Sequence, residues 1–267
     1  MENKNINTKF NYNNKNEEPT YSTIWRYMSL NKFISLLQTN TLFFSCLTEM
    51  NDPLEGANYR DSFFIKGFFG ACNKGLETKD YKIKNFKKAL VALRNYQQNF
   101  FTCCFYSKKS ESRVMYESYS SENGVAIKFN YKSILSEINK HYASTLNTDF
   151  ELGYGKVEYY EFNHASNFFK LFLNDPNEFN FDPFTKEDIH KHEEEFRFLF
   201  YAKNHLKKIN NIQVVIDLKS SILEIVAHPN SLDWEINILN NLIKTYNLDF
   251  QLKKSKIITT EAIKRIL

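Results

Sequence analysis

The chain has 267 residues, 35 basic against 31 acidic, a net charge of +4, and 25 Phe and 16 Tyr beside only 7 Gly and 5 Pro. That length fills a substantial core, the scarcity of Gly and Pro argues against flexible linkers, and so mild a charge lacks the strongly basic domain or stripe of a dedicated nucleic-acid binder. No run approaches the roughly 20 apolar residues of a membrane span, and the four cysteines (Cys46, Cys72, Cys103, Cys104) have neither C-x-x-C spacing nor paired histidines, which excludes a structural zinc site and fits reduced thiols in a cytoplasmic protein.

Residues 1–20 are polar, Asn-rich and without an apolar signal-peptide segment, and read as a flexible lead into a single domain over 21–267. Thr23–Tyr27 reads as a strand, Leu30–Gln38 as a helix burying Phe33, Ile34 and Leu37, and Thr41–Ser45 as an apolar strand. Met50-Asn51-Asp52-Pro53 is turn chemistry, because Asn and Asp bond their own backbone and the residue before proline avoids the helical region. Residues 84–97 have helical spacing through Phe86, Leu90, Leu93 and Tyr96, with Asn85 as cap. Phe100–Tyr106 reads as a buried strand with Cys103 and Cys104 as small core residues, and Gly124–Asn130 as an alternating strand. A helix is expected over 132–142, a strand over Lys156–Phe162 and an aromatic-faced helix over Ala165–Leu173. Thr185-Lys186-Glu187-Asp188 resembles a capping box opening a short helix. The end of the chain reads as strands near 213–218 and 222–227, a helix near 232–245 begun by Ser231, and a strand pair near 248–252 and 255–259. This order predicts an α+β fold: mostly antiparallel mixed sheets with inserted helices.

The most informative run is His192–Tyr201. From Glu195 onward, Phe196, Phe198 and Phe200 fall on one face and Glu195, Arg197, Leu199 and Tyr201 on the other. A strand of this pattern fixes a carboxylate and a guanidinium two residues apart, opposite three core phenylalanines. Taken alone, the segment fits best as a solvent-facing charge pair; lining a cleft, it becomes a preoriented polar pair.

Gly-rich phosphate loops, H-E-x-x-H, G-x-S-x-G and the dinucleotide fingerprint are all absent. Four short clusters remain. An Arg26-Tyr27 strand leads through a helix and an apolar strand to Asn51-Asp52-Pro53-x-Glu55; Cys104-Phe105-x-Ser107 follows; then Met115-Tyr116-x-x-Tyr119 leads to Gly124–Phe129; last comes Glu193-x-Glu195-Phe196-Arg197. In this order the chain resembles the prokaryotic family known as domain of unknown function 2971, over residues 23–260, with Tyr116 where that family usually has Trp and Leu54 where it usually has an aromatic. It is also similar, more distantly, to ADP-ribosyltransferases, in which an early strand ends in a basic residue, a middle strand opens with an aromatic-x-Ser element, and a late strand carries the catalytic Glu two residues after another acidic or amide residue.

That resemblance implies a split sheet, NAD as substrate, and an unidentified protein or nucleic-acid target, in a toxin or anti-phage effector. Carried onto this sequence, it makes Glu195, Glu193 and Ser107 catalytic and assigns Arg26, Tyr27, Asn51, Asp52, Tyr116, Tyr119 and Arg197 to NAD binding. The residue types suit the chemistry, since a carboxylate stabilises the cationic transition state, an Arg takes pyrophosphate, a hydroxyl buttresses the Glu, and an aromatic ring stacks on nicotinamide. Two other readings stand beside it: a nuclease holding Mg²⁺ between Asp52, Glu55, Glu193 and Glu195, and a non-catalytic ligand-sensing module. Each residue also has a plain structural role open to it: Arg26 pairing with Glu55 or Asp52, Ser107 capping the next helix, Tyr116 and Tyr119 packing in the core.

Overall fold

Period-two alternation of large apolar side chains dominates the sheet. The computed structural model describes residues 15–57, 66, 80–121, 123–161, 181–203 and 209–264. Strands β1 (Thr23–Met28), β2 (Thr41–Cys46), β3 (Phe100–Tyr106), β4 (Val125–Asn130), β5 (Phe150–Lys156), β8 (Glu195–Ala202), β9 (Asn211–Val215), β10 (Ile222–Ala227) and β11 (Leu252–Lys254) form a nine-stranded sheet, while β6 (Glu158–Tyr160) and β7 (Thr185–Glu187) pair separately. All pairings are antiparallel except β10 with β11 and β6 with β7. The result is a single mixed α+β domain, as the element order predicts.

The pairing of β3 sets the architecture. One of its edges is taken over its whole length by β8, from Phe100 opposite Tyr201 to Tyr106 opposite Glu195. The other edge is shared. β2 holds its start, through Ser45 opposite Thr102 and Cys46 opposite Phe101, and β1 holds its end, through Trp25 opposite Tyr106. On that edge the sheet therefore forks into an arm β1-β4-β10-β11 and an arm β2-β9. Cys103–Phe105 lie in the fork.

Two faces follow from the alternation. On one, Phe101, Cys103 and Phe105 of β3 and Phe196, Phe198 and Phe200 of β8 join the main core under helices α1 (Leu30–Thr39), α4 (Tyr131–His141) and α6 (Asp233–Thr245). Ring pairs such as Phe105–Phe198, perpendicular at 5.7 Å, knit this layer, and each fully buried Phe contributes about 1.5–3 kcal/mol. On the other face lie two smaller clusters. One surrounds Leu93 and Tyr96 of α2 (Asp80–Gln97) with Phe100, Phe184 and Leu199; the other surrounds Met115 and Tyr116 of α3 (Arg113–Tyr119) with Trp25, Tyr27 and Tyr106. Short helices α5 (Leu218–Ser221) and α7 (Thr260–Lys264) complete the described elements.

Several expectations are corrected. Asn85 lies inside α2, which begins at Asp80, and so is no cap. Thr185–Glu187 is a strand that pairs with β6 before a 3₁₀ turn over Asp188–Glu193. α6 starts after Leu232, whose N–H is bound by the Glu235 carboxylate at 2.7 Å, so Ser231 does not begin it. Near 248–259 a single strand, β11, lies parallel to β10 in place of a hairpin, and β5 and β6 replace the strand expected over Lys156–Phe162. The helix expected over Ala165–Leu173 lies outside the described residues. Residues 15–17 dock on β5: the Glu17 N–H bonds the Tyr154 carbonyl at 2.9 Å, and the Tyr154 N–H bonds the Lys15 carbonyl at 2.7 Å.

Gly124 joins α3 to β4 where no side chain fits, for a Cβ there would lie 1.9 Å from the Ser120 carbonyl oxygen and 2.4 Å from that of Met28. Both obstacles are main chain and cannot swing away. Gly124→Ala is expected to destabilise the fold by about 1–3 kcal/mol through overpacking, read as a lowered urea midpoint with unchanged slope.

Candidate functional site

At the fork, a cavity of about 500 Å³ is lined by Trp25, Arg26 and Tyr27 of β1, Lys32 of α1, Thr102 and Cys104 of β3, Tyr119 of α3, and Glu55, Lys186, Glu193 and Glu195. Because neither β1 nor β2 covers Cys103–Phe105, side chains from both faces of the sheet line the cavity. Arg26 enters from the Phe-lined face: its guanidinium lies 5.4 Å from the Phe105 ring and bonds the Cys103 sulfur. Glu195 enters from the other face.

Behind the cavity wall lies a buried charge cluster. Arg197, 1 % exposed, donates from Nε to Glu195 Oε1 at 3.0 Å and from Nη2 to Glu195 Oε2 at 2.7 Å and Glu55 Oε1 at 2.6 Å; its Nη1 bonds the Pro183 carbonyl. The pair is therefore interior, not solvent-facing, which corrects the reading that the strand alone favours. Lys186 on β7 lies 2.7 Å from Glu193, 3.4 Å from Glu55 and 3.6 Å from Glu195. Three carboxylates thus meet two cations.

Burial alone would raise the Glu195 carboxyl, but Arg197 and then Lys186 outweigh it and hold it down to about 2. Burial likewise opposes the charge on Lys186, and Glu195 and Glu55 overcome it, so its pKa is raised. Burial, reinforced by Glu195, pushes the thiol of the cavity-lining Cys104 well above its ordinary value, which favours its protonated form. Burial and then Glu193 raise Tyr119, whose hydroxyl donates to Glu193 Oε1 at 2.8 Å.

Chain geometry presents both acidic residues to the cavity. Glu194, between them, adopts φ 38°, a left-handed conformation that costs a non-glycine residue roughly 1 kcal/mol or more. Ser107 secures this kink: its N–H and its hydroxyl both donate to the Glu194 carbonyl, at 3.0 and 2.8 Å. Ser107 therefore neither touches Glu195 nor caps α3, which is capped by Ser112.

Of the residues singled out from sequence, the structure brings Arg26, Tyr27, Tyr119, Glu193 and Glu195 around one cavity. Arg197 backs the cavity wall. Tyr116 is fully buried behind Tyr27, with ring centroids 4.9 Å apart, and its hydroxyl bonds Glu111 at 3.1 Å. Asp52 accepts the Leu54 N–H at 2.9 Å and lies 3.8 Å from His190, whose other nitrogen is 3.2 Å from Glu193; Asn51 is exposed. Arg26 pairs with neither Glu55 nor Asp52. Lys186, His190 and Cys104 escaped the sequence reading as site residues; a three-residue strand carries too little pattern to reveal Lys186. The Lys186 ammonium sits where a metal ion shared by Glu55, Glu193 and Glu195 would lie, and no group of three His, Cys, Asp or Glu side chains among the described residues is arranged to hold one.

The chain matches no protein-family model, no curated protein and no solved structure. Among the described residues no helix is long and apolar enough to cross a membrane.

Replacing Arg197 with Met strands Glu195 and Glu55 without their guanidinium. A loss of about 3–5 kcal/mol in chemical denaturation is expected, and Arg197→Lys recovers only part of it, because a compact ammonium does not reproduce the two-pronged grip on Glu195.

The cluster also sets a pH dependence. The Glu195 pKa is lower in the fold than its ordinary 4.5, so its contribution is complete above that value and lost as pH falls toward about 2. The Lys186 pKa is higher in the fold than its ordinary 10.5, so its contribution is complete below that value and lost only at more alkaline pH, as pH rises through the folded pKa. Denaturation midpoints measured against pH should fall across the acid window, and Glu195→Gln should flatten that limb.

Proposed function

We propose that the cavity binds NAD and that the protein is an ADP-ribosyltransferase-like enzyme, cleaving the nicotinamide–ribose bond and passing the ADP-ribosyl group to an acceptor. The observation that carries this reading is the meeting of Arg26 and Glu195, distant in sequence and on opposite faces of the sheet, on one cavity at the fork. The cavity has a cationic end and an anionic end, as a dinucleotide with a pyrophosphate and a cationic nicotinamide ring requires.

At the cationic end, no carboxylate pairs with Arg26 among the described residues; its guanidinium is held over Phe105 with N–H groups left to take phosphate oxygens, and Lys32 stands beside it. At the other end, heterolysis sends the C–N electron pair to the departing nicotinamide and leaves positive charge on the anomeric carbon. A carboxylate whose pKa is about 2 is a poor base at neutral pH, but it is a permanent negative charge. That suits Glu195 to electrostatic stabilisation of an oxocarbenium-like state rather than to proton transfer. Tyr27 and Tyr119 offer rings for the nicotinamide.

Calorimetric titration with NAD, run beside an assay for released nicotinamide with cell extract and nucleic acid present, tests the reading. Saturable binding and nicotinamide release are expected. Arg26→Gln should weaken binding by about tenfold or more, the worth of a charged hydrogen bond, with the melting temperature nearly unchanged. Neither binding nor release from the wild-type protein would sink the proposal, and binding without release would favour a ligand sensor.

A further inference from the structure

Resting on the NAD reading, we infer that the acceptor is water, so that the protein hydrolyses NAD to nicotinamide and ADP-ribose. The argument comes from how the carboxylates are covered. Glu193 and Glu195 are each only 6 % exposed although both line the cavity. Two side chains bonded to Glu193 are far more open: Tyr119, at 2.8 Å, is 41 % exposed, and His190, at 3.2 Å, is 27 % exposed. Together they form the layer between Glu193 and solvent. Glu55 and Arg197, at 2 % and 1 %, close the cluster from within.

A cavity of about 500 Å³ is of a size that one small-molecule ligand fills, within the roughly 300–1,000 Å³ common to such sites. With the dinucleotide in place, an acceptor that approaches the anomeric carbon from the Glu193 side meets Tyr119 and His190. Water passes gaps of that kind. A side chain on a folded protein, or a base on a nucleic acid, brings its own backbone with it and has to displace the Tyr119 ring.

The step balances without a further reactant. Water oxygen bonds the anomeric carbon as the C–N bond breaks toward nicotinamide; one water proton stays on the new hydroxyl, and the other is released. Glu193 is the carboxylate that leads outward, through His190 Nδ1, while His190 Nε2 faces Asp52 at 3.8 Å. Lys186 and Tyr119, the other groups on Glu193, both hold their own protons tightly.

The full chain is incubated with NAD labelled on its adenylate half, in buffer alone, with added methanol, and with cell extract plus nucleic acid, and nicotinamide, free ADP-ribose and macromolecule-bound label are measured. Free ADP-ribose equal to nicotinamide in buffer alone is expected, with methanol diverting part of it to the methyl glycoside. Tyr119→Ala, which opens the covering layer, should let bulkier alcohols compete where the wild-type protein excludes them. Nicotinamide release that depends on extract, with label on a macromolecule exceeding free ADP-ribose, would overturn the inference and leave the NAD reading intact. No nicotinamide in any arm overturns both.

Discussion

The site depends on one buried guanidinium. Arg197 ties together three stretches through one side chain: its own strand through Glu195, the turn over residues 53–57 through Glu55, and the segment after residue 181 through the Pro183 carbonyl. Desolvating so many charges is costly unless each is matched, and here the fork geometry of guanidinium matches it twice over on carboxylates. Lys186 then fills the remaining space between the carboxylates as a second, compact cation. The cluster works as a keystone: removing Arg197 leaves both Glu195 and Glu55 without their guanidinium.

This arrangement fixes the chemical character of the cavity. Arg197 and Lys186 hold Glu195 in its ionised form, and it holds them in theirs, so at Glu195 the acidic wall presents constant charge rather than an exchangeable proton. Only where the cluster approaches solvent, at His190, does a group of the kind used for proton traffic appear.

Much of this was legible in the sequence, and the misses have physical causes. The alternation of Phe196, Phe198 and Phe200 gave the strand and the facing of Glu195 and Arg197, and the strand–helix–strand opening over residues 23–46 was read within a residue or two. What a period cannot report is what covers the second face, so the pair read most simply as exposed. Lys186 sits on a strand of three residues, where Thr-Lys-Glu-Asp looked like helix-start chemistry, and its partners lie far along the chain. Ser107 reads from the sequence as a hydroxyl that buttresses the Glu, but it acts on the Glu194 carbonyl rather than on a carboxylate, a distinction that depends on one positive φ.

The fork in the sheet has a further consequence. A strand without a neighbour ordinarily invites another chain to pair with it, and proteins guard such borders with charge, bulges or covering loops. Here the uncovered stretch of β3 lies inside the molecule, where no foreign strand can lie alongside it. Alternation turns the amides and carbonyls of Cys103 and Phe105 toward β8 and leaves those of Cys104 on the cavity side. An occupant that bonds them meets one main-chain donor and one acceptor, which exchanging side chains does not alter.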